Sequence, residues 1–371
     1  MGARARPADA RLQGRAAQRT GPPAAVSHFG GGRRLCAGGR RGRLQASRRA
    51  GGRRSLSRAR KDQSGREGIV VSEQTRCGFV ALIGAPNAGK STLLNTIVGA
   101  KVSIVSRKVQ TTRALVRGIA IEGPSQIIFV DTPGIFAPKR RLDRAMVTTA
   151  WGGAGDADVV ALLVDSKKGL DGETEAILER LKDAPRRKVL VLNKIDLIPR
   201  ENLLSLAQEI NARVPFVETF MISAAKGDGV ERLRDHLAGM MKPGPWLYPE
   251  DQVSDAPLRS LAAEITREKV FERLHDELPY EATVETDQWK QMADGSARIE
   301  QTIYVAREGQ KKIVIGEGGR MIKSIGQAAR KDIAEAADQK VHLFLFVKVR
   351  SNWADDPERY REMGLEFPRG G

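Results

Sequence analysis

Eight residues, Gly84-Ala85-Pro86-Asn87-Ala88-Gly89-Lys90-Ser91, constrain this chain more than any other stretch. They follow the apolar run Gly78 to Ile83 and lead through Thr92 into Leu93-Leu94-Asn95-Thr96-Ile97-Val98 before Gly99. A buried strand, a glycine-bounded loop and a short helix closed by glycine form the setting that a phosphate-binding P-loop requires. N–H groups of such a loop and of the helix N-terminus point at phosphate oxygens, and the glycines permit the close approach. Lys90 is then placed to reach the β- and γ-phosphates, and the Ser91 hydroxyl to ligate Mg²⁺.

Motifs downstream of the P-loop narrow the nucleotide. A polar stretch, Lys101 to Arg113, stands where a GTPase keeps its first switch, and Thr112 is the candidate to add a hydroxyl to Mg²⁺. A strand ending in Asp131-Thr132-Pro133-Gly134 offers a carboxylate for the metal and the Gly134 N–H for the γ-phosphate. Position 135 is Ile, where many GTPases carry a water-orienting Gln, so the attacking water must be positioned otherwise. The strand Lys188 to Leu192 runs into Asn193-Lys194-Ile195-Asp196. Asp196 can accept two hydrogen bonds from guanine N1–H and the exocyclic amine, and adenine has no such donor pair. Lys194 can cover the base plane and Asn193 can tie the loop down. Ser223-Ala224-Ala225-Lys226 would bring a backbone N–H to guanine O6. Together these elements predict a doubly wound α/β P-loop GTPase domain, its mixed sheet carrying one antiparallel edge strand.

Charge is unevenly placed. Of the net +17, +15 sits in residues 1–68, which leaves +2 for the other 303 residues. Residues 1–74 are Arg, Gly, Ala and Ser without apolar periodicity, so a disordered leader is expected there. It reads as a basic RNA-binding arm, an organellar transit peptide, or a translated leader ahead of a true start at Val70 or Val71. The last is favoured, because Val71-Ser72-Glu73-Gln74 stands a few residues before the first strand. Two cysteines, Cys36 and Cys77, make no disulfide framework, which fits a reducing compartment. No apolar run approaches the roughly 18 residues of a membrane-spanning helix.

The motifs GAPNAGKSTLLN, SRKVQTTR, DTPGIFAPK, NKID and SAAKGDG resemble those of the Era family of GTPases over residues 75–368. So do EITREKVFERLHDELPY, GQKKIVIGEGGRMIKSIG and VKVRSNWADDPERYREMG beyond a Pro-rich linker at 242–257. The resemblance implies a GTPase domain at 75–241 and an RNA-binding KH domain at 258–371. A related factor with two GTPase domains is excluded, since the chain has one P-loop and one NKxD.

The second half, read from its residues, agrees. Leu258, Leu261, Ala262 and Ile265 are spaced for one helix face, and strands are expected at 281–289 and 296–306 around Gly295. Met321, Ile322, Ile325, Ala329 and Ile333 line a later helix, and a final strand runs from Val341 to Arg350. A helix, two strands, a GxxG between helices and a closing strand is the arrangement of an α+β type II KH domain. Its loop Gly316-Glu317-Gly318-Gly319 would clamp about four single-stranded nucleotides. Residues 309–350 hold nine Lys or Arg against four acids, which suits RNA. Glu317 would repel phosphate, so Lys311, Lys312, Arg320 and Lys323 must carry more of the attraction. The apolar residues of the final strand, with Trp289, Trp353 and Tyr360, are expected as core or hinge packing.

The resemblance further implies a GTP-driven factor that binds the 3′ end of small-subunit (16S) rRNA and acts in assembly of the small ribosomal subunit. It implies no DNA partner and a cytoplasmic location, with peripheral inner-membrane contact left open. An RNA-binding scaffold whose nucleotide never turns over is the alternative. In GTPases resembling this one, an Asn at the place of Asn87 helps bind K⁺, so catalysis is expected from Lys90, Thr112 and an Asn87-held K⁺.

Overall fold

The apolar runs become strands because their residues alternate between two buried layers. In β1 (Arg76–Ile83), Val80 and Leu82 face one core and Ala81 and Ile83 the other. Every second residue of a strand points the same way, so a run apolar at each position is covered on both faces. Helix α1 (Lys90–Val98) follows, then β2 (Val116–Glu122), β3 (Ser125–Asp131), α2 (Arg141–Asp156), β4 (Val159–Asp165), α3 (Gly172–Leu181), β5 (Arg187–Asn193), α4 (Arg200–Arg213), β6 (Glu218–Ile222), α5 (Val230–Met240) and β7 (Lys242–Pro243). This computed structural model describes residues 74–275, 278–351 and 357–368, within one compact unit spanning 70–371. The expected leader and Trp353 lie outside the described residues.

Among the described residues seven strands form one sheet in the order β2-β3-β1-β4-β5-β6, with β7 paired to the start of β1. All neighbours along that order are parallel except β2, which returns antiparallel along β3 through Gly123-Pro124. Gly123, at φ 53°, supplies the left-handed residue of that two-residue turn. Helices α1 and α5 cover one face, and α2, α3 and α4 the other. The parallel order brings the C-terminal ends of β1, β3, β4, β5 and β6 to one edge, where every nucleotide motif sits.

The Pro-rich stretch at 242–257 is strapped to this sheet. Buried Gln126 accepts from Leu247 N at 2.8 Å and Tyr248 N at 3.0 Å, and donates to Tyr248 O at 2.8 Å. Ile119 N donates to Val253 O at 2.9 Å, so the linker also occupies the open edge of β2.

The second domain begins with α6 (Leu258–Arg273), followed by β8 (Thr283–Gln291), β9 (Ala297–Val305), α7 (Glu308–Ile315), α8 (Arg320–Ala336), β10 (Val341–Val349) and α9 (Pro357–Glu362). Its sheet runs β10-β9-β8, with β10 parallel and β8 antiparallel to β9, and helices cover one face. Two expectations need correction. Leu258 shares its helix face with Leu261 and Ala262 but is 47% exposed, because the buried cluster begins only at those two residues. Phe344 and Phe346 are not core: β10 is an edge strand covered on one side, so alternate residues turn outward. Trp289 does pack on the core, and Tyr360 is buried with Leu365 against Ala145 and Met146 of α2, joining the two domains.

Candidate nucleotide site and nucleic-acid interface

Strand β1 delivers the chain to Gly84, whose backbone (φ 151°) lies so close to Leu163 that a Cβ would stand 2.3 Å from its carbonyl oxygen. The loop closes at left-handed Gly89, and α1 starts at Lys90. Lys90 is buried, with Nζ donating to Gly84 O and Ala85 O at 3.0 Å each. Burial pushes its ammonium down to about 8, against the pull of Asp131 and Glu173.

Oxygen donors from separate segments converge beside it. Ser91 Oγ donates to Asp131 Oδ2 at 2.6 Å and stands 2.9 Å from Thr112 Oγ1, and Ser103 Oγ donates to the same Oδ2 at 2.9 Å. Asp131 Oδ1 is buried with no hydrogen-bond partner. A buried carboxylate oxygen left unpaired is costly, and a hard cation among hydroxyl and carboxylate oxygens would relieve it. The residues therefore fit Mg²⁺. Thr132 Oγ1 donates to Leu82 O at 2.8 Å, and Ile135 N donates to Gly84 O at 3.1 Å, which pins the stretch Asp131 to Gly134 beneath the P-loop. Pro133 and Gly134 are buried there, and Pro86 crowds the place a Gly134 Cβ would take. The Ile135 side chain is buried in the core, out of reach of any water at the phosphates.

At the base end one side chain joins three loops. Asn193 donates to Ala88 O at 2.8 Å, and its Oδ1 accepts from Lys194 N at 2.8 Å and Ala224 N at 2.9 Å. Its amide lies 2.1 Å from where a Gly89 Cβ would be, so only glycine admits it. Lys194, at φ 66°, reaches Asn87 O at 2.7 Å and Asp165 at 2.6 Å. Ser223 lies near Asp196 outside hydrogen-bond geometry. With Lys226 at 3.6 Å, it holds the Asp196 carboxyl below its usual range. A cavity of about 1030 Å³ runs from Pro86, Asn87 and Gly89–Thr92 past Thr112, Thr132 and Gly134 to Lys194 and Ala225. Asp131 and Asn193 are buried and do not line it, nor do Ile195, Asp196, Ser223 and Ala224.

The first switch is held from outside its own domain. Asn87 donates to Arg107 O at 2.9 Å. Arg267 of α6 donates to Thr111 O at 2.5 Å, Glu268 accepts from Val105 N at 2.8 Å, and Lys108 reaches the Leu274 carbonyl. Arg113 donates to the carbonyls of Ala282 and Tyr280 at 3.0 Å. Phe271 and Glu272 of α6 join the cavity wall. These α6 residues lie within EITREKVFERLHDELPY, which carried the family resemblance without marking any contact to the switch. The one available signal is the run Thr266-Arg267-Glu268-Lys269, polar residues on every side of a helix that is nonetheless buried all round.

At the other end of the second domain, α7 and α8 meet at Gly316-Glu317-Gly318-Gly319, all three glycines at positive φ. A Cβ on Gly316 would strike Met321 N at 2.9 Å. Glu317 forms an ion pair with Arg320, so the acid and the nearest base largely cancel. Lys311 lies 3.7 Å from Glu308, while Lys312 and Lys323 are exposed. Beyond the loop a groove of about 360 Å³ is walled by Ile322, Lys323, Gly326, Gln327 and Arg330 of α8 and by Leu343–Phe346 of β10. Gly326 and Arg330 escaped notice in the sequence because nothing local marks a groove between a helix and a strand distant in the chain.

Residues 79–194 match the family model described as a 50S ribosome-binding GTPase, and residues 277–354 that of the KH domain. The GTPase Era of Bradyrhizobium sp. (strain BTAi1) is 68% identical over 296 residues, 80% of this chain and 96% of that protein. The chain belongs to the Era family of GTPases. Era of Brucella suis biovar 1 is 65% identical over 301 residues, 81% of this chain and 97% of the relative. A solved Era structure in complex with MgGDPNP and nucleotides 1506–1542 of 16S ribosomal RNA matches with a TM-score of 0.74 at 39% identity, covering 78% of this chain and 99% of that one. A variant of Aquifex aeolicus Era bound to GDP and AlF4⁻ matches equally well, at 38% identity and the same coverage. Era membership therefore rests on both halves of the chain, and the chain is a GTPase of that family.

Proposed function

We propose that this Era-family GTPase is a GTP-hydrolysing switch that holds the single-stranded 3′ end of 16S rRNA while the small ribosomal subunit is assembled. The observation that carries the reading is the attachment of the first switch to the second domain. Thr112 stands at the oxygen cluster of Ser91 and Asp131, and the neighbouring Thr111 and Val105 are held by Arg267 and Glu268 of α6. A loop that senses the γ-phosphate through Thr112 cannot move without disturbing the RNA-binding half. The 16S RNA bound by the solved Era relative supports a small-subunit partner, so the 50S in the family model's description is not carried over. An rRNA partner is consistent with a cytoplasmic location.

Ser91, Thr112 and Asp131 would hold Mg²⁺, which neutralises charge on the phosphate oxygens when bound. Lys90 binds the β- and γ-phosphates, and the N–H groups of Asn87 to Thr92 and of Gly134 orient the terminal phosphoryl group. Asp196 selects guanine, Lys194 covers the base, and Ala225 supplies an N–H at O6, the Ala224 N–H being held by Asn193. Asn87, already bonded to the first switch at Arg107, would hold K⁺ against the phosphates in place of a side chain that orients water. Gly316–Gly319, Lys311, Lys312, Arg320 and Lys323 would take the RNA backbone. Measuring single-turnover GTP hydrolysis, and the affinity for a 16S 3′-end RNA with a GTP analogue and with GDP, tests this. A non-hydrolysing scaffold would leave GTP intact and bind the RNA equally in both states.

A further inference from the structure

Among the described residues Phe344 and Phe346 are the exposed aromatic side chains, at 41% and 47%. Both stand on β10 with their backs to the helices, while Leu343, Leu345, Val347 and Val349 turn inward to the core. They sit opposite Glu300 and Thr302 of β9, one step from the facing pair His342 and Arg298. The Arg298 guanidinium lies 4.3 Å from the centre of the Phe344 ring, steered there by Glu300 at 2.7 Å. Two hollows meet at Phe344. One is the groove toward α8; the other, of about 440 Å³, opens on the outer face between Met292, Ser296, Arg298 and His342.

We infer that the outer face of this sheet is a second RNA surface, on which nucleotides leaving the groove stack their bases against Phe344 and Phe346. The inference rests on the RNA-binding reading of the groove. Three observations favour RNA as the occupant. The two rings border the groove itself, so a strand passing over the β10 edge meets them next. Side chains two residues apart on a strand stand about 7 Å apart, roughly twice the 3.4 Å base spacing, which leaves room for one base between the rings. The exposed cations Lys290 and Lys348, with Arg298, stand around the rings; of the nearby acids Glu300 is paired with Arg298, while Asp294 and Asp287 keep their charge, each accepting a hydroxyl, from Ser296 and Thr302. Stacking on an aromatic ring beside an arginine is how sheets hold single strands without reading their sequence.

The full chain, loaded with a GTP analogue, is titrated with the best-binding tetranucleotide from the 16S 3′ end. It is then titrated with the same sequence extended by four nucleotides on either side. One extension should raise affinity about tenfold in wild type. Arg298→Gln should leave tetranucleotide affinity unchanged and cut that gain severalfold. The double variant Phe344→Leu, Phe346→Leu keeps an apolar strand face and should erase the gain. Ultraviolet crosslinks from the extension should map to the β10 peptide. A wild-type protein indifferent to length, a gain that survives both leucines, or crosslinks elsewhere would each overturn the inference and leave this face to a protein partner. Failure of the tetranucleotide itself to bind would instead bring down the groove reading, and this inference with it.

Discussion

Lys101 of the first switch and Glu268 of α6 form an ion pair of 2.6 Å that joins the two domains, and the Glu268 side chain is only 3% exposed. The other Glu268 oxygen accepts Val105 N at 2.8 Å. Lys269 adds contacts of 3.0 Å to Glu268 and 2.7 Å to Asp332, which lies on α8, the helix that walls the groove. Although burial opposes its charge, Asp332 and Glu268 hold the Lys269 ammonium above its usual range. Four charges thus connect the nucleotide loop to the groove helix.

Glu268→Gln should break this connection. Removing one member of a buried ion pair costs roughly 3–5 kcal/mol where nothing replaces it, and Asp332 will offset part of that here. GTP affinity should stay near wild type. The difference in RNA affinity between GTP-analogue and GDP states should shrink severalfold, and Glu268→Asp should restore part of it. Titrations of labelled RNA in both nucleotide states check this; an unchanged difference would show the coupling runs elsewhere.

Asp196→Asn should exchange guanine for xanthine recognition, because the amide presents a donor where the carboxylate accepted. Competition between GTP and XTP measures it. Retained GTP affinity without any for XTP would displace Asp196 from the base site.

With the Ile135 side chain buried, the K⁺ proposed at Asn87 would add its charge to that of Lys90 and Mg²⁺ in the transition state. GTP turnover should rise in K⁺ over Na⁺ at equal ionic strength. Asn87→Ala should abolish the difference while sparing GTP binding, since its main contact in the protein is the Arg107 carbonyl. Equal wild-type rates in the two salts would rule the cation out.

Lys90 sets a pH dependence. Its folded value of about 8 lies below the 10.5 of a free lysine, so between these values the unfolded chain holds a proton that the folded chain has released. The nucleotide-free protein therefore gains stability from this group as pH rises from 8 to 10.5. Phosphates raise the Lys90 value again, so GTP binding takes up close to one proton in that window and little at pH 7. Calorimetry in buffers of different ionisation enthalpy reads this uptake; Lys90→Met should remove it.

Two glycines separate clash from strain. Gly99→Ala meets nothing within 4 Å and should cost about 1 kcal/mol, the penalty of φ 73° alone. Gly89→Ala adds a clash with the Asn193 amide, and should cost at least about 3 kcal/mol and most of the GTP affinity. Thermal melts and nucleotide titration compare them.

The candidate site was legible wherever its residues are consecutive at a strand end. Gly84 to Ser91, Asp131 to Gly134 and Asn193 to Asp196 are such stretches, since the fit of each to phosphate, metal or base depends on local backbone geometry. Asn193 marks the limit. Its motif placed it at the base, while its role in holding Ala88 and Ala224 appears only once three loops are brought together. The outward turn of Phe344 and Phe346 was hidden for a related reason: an apolar strand looks the same whether one face or both are covered.

The sequence by itself determined the order of elements, the nucleotide motifs and the two-domain division, because each depends on spacing within a dozen residues. Only the tertiary structure decided what lies between the domains. Arg267, Glu268 and Lys269 are consecutive charged residues that an isolated helix would leave in water, yet they are buried. Charges can be buried only against partners of opposite charge or against carbonyls. Some partners are local, Glu264 for Arg267 and Glu272 for Lys269, but those on other elements, Lys101, Thr111 and Asp332, stand more than 60 residues away in the chain. No local pattern encodes such a pairing, and the link between the nucleotide loop and the helix that walls the groove consists of it.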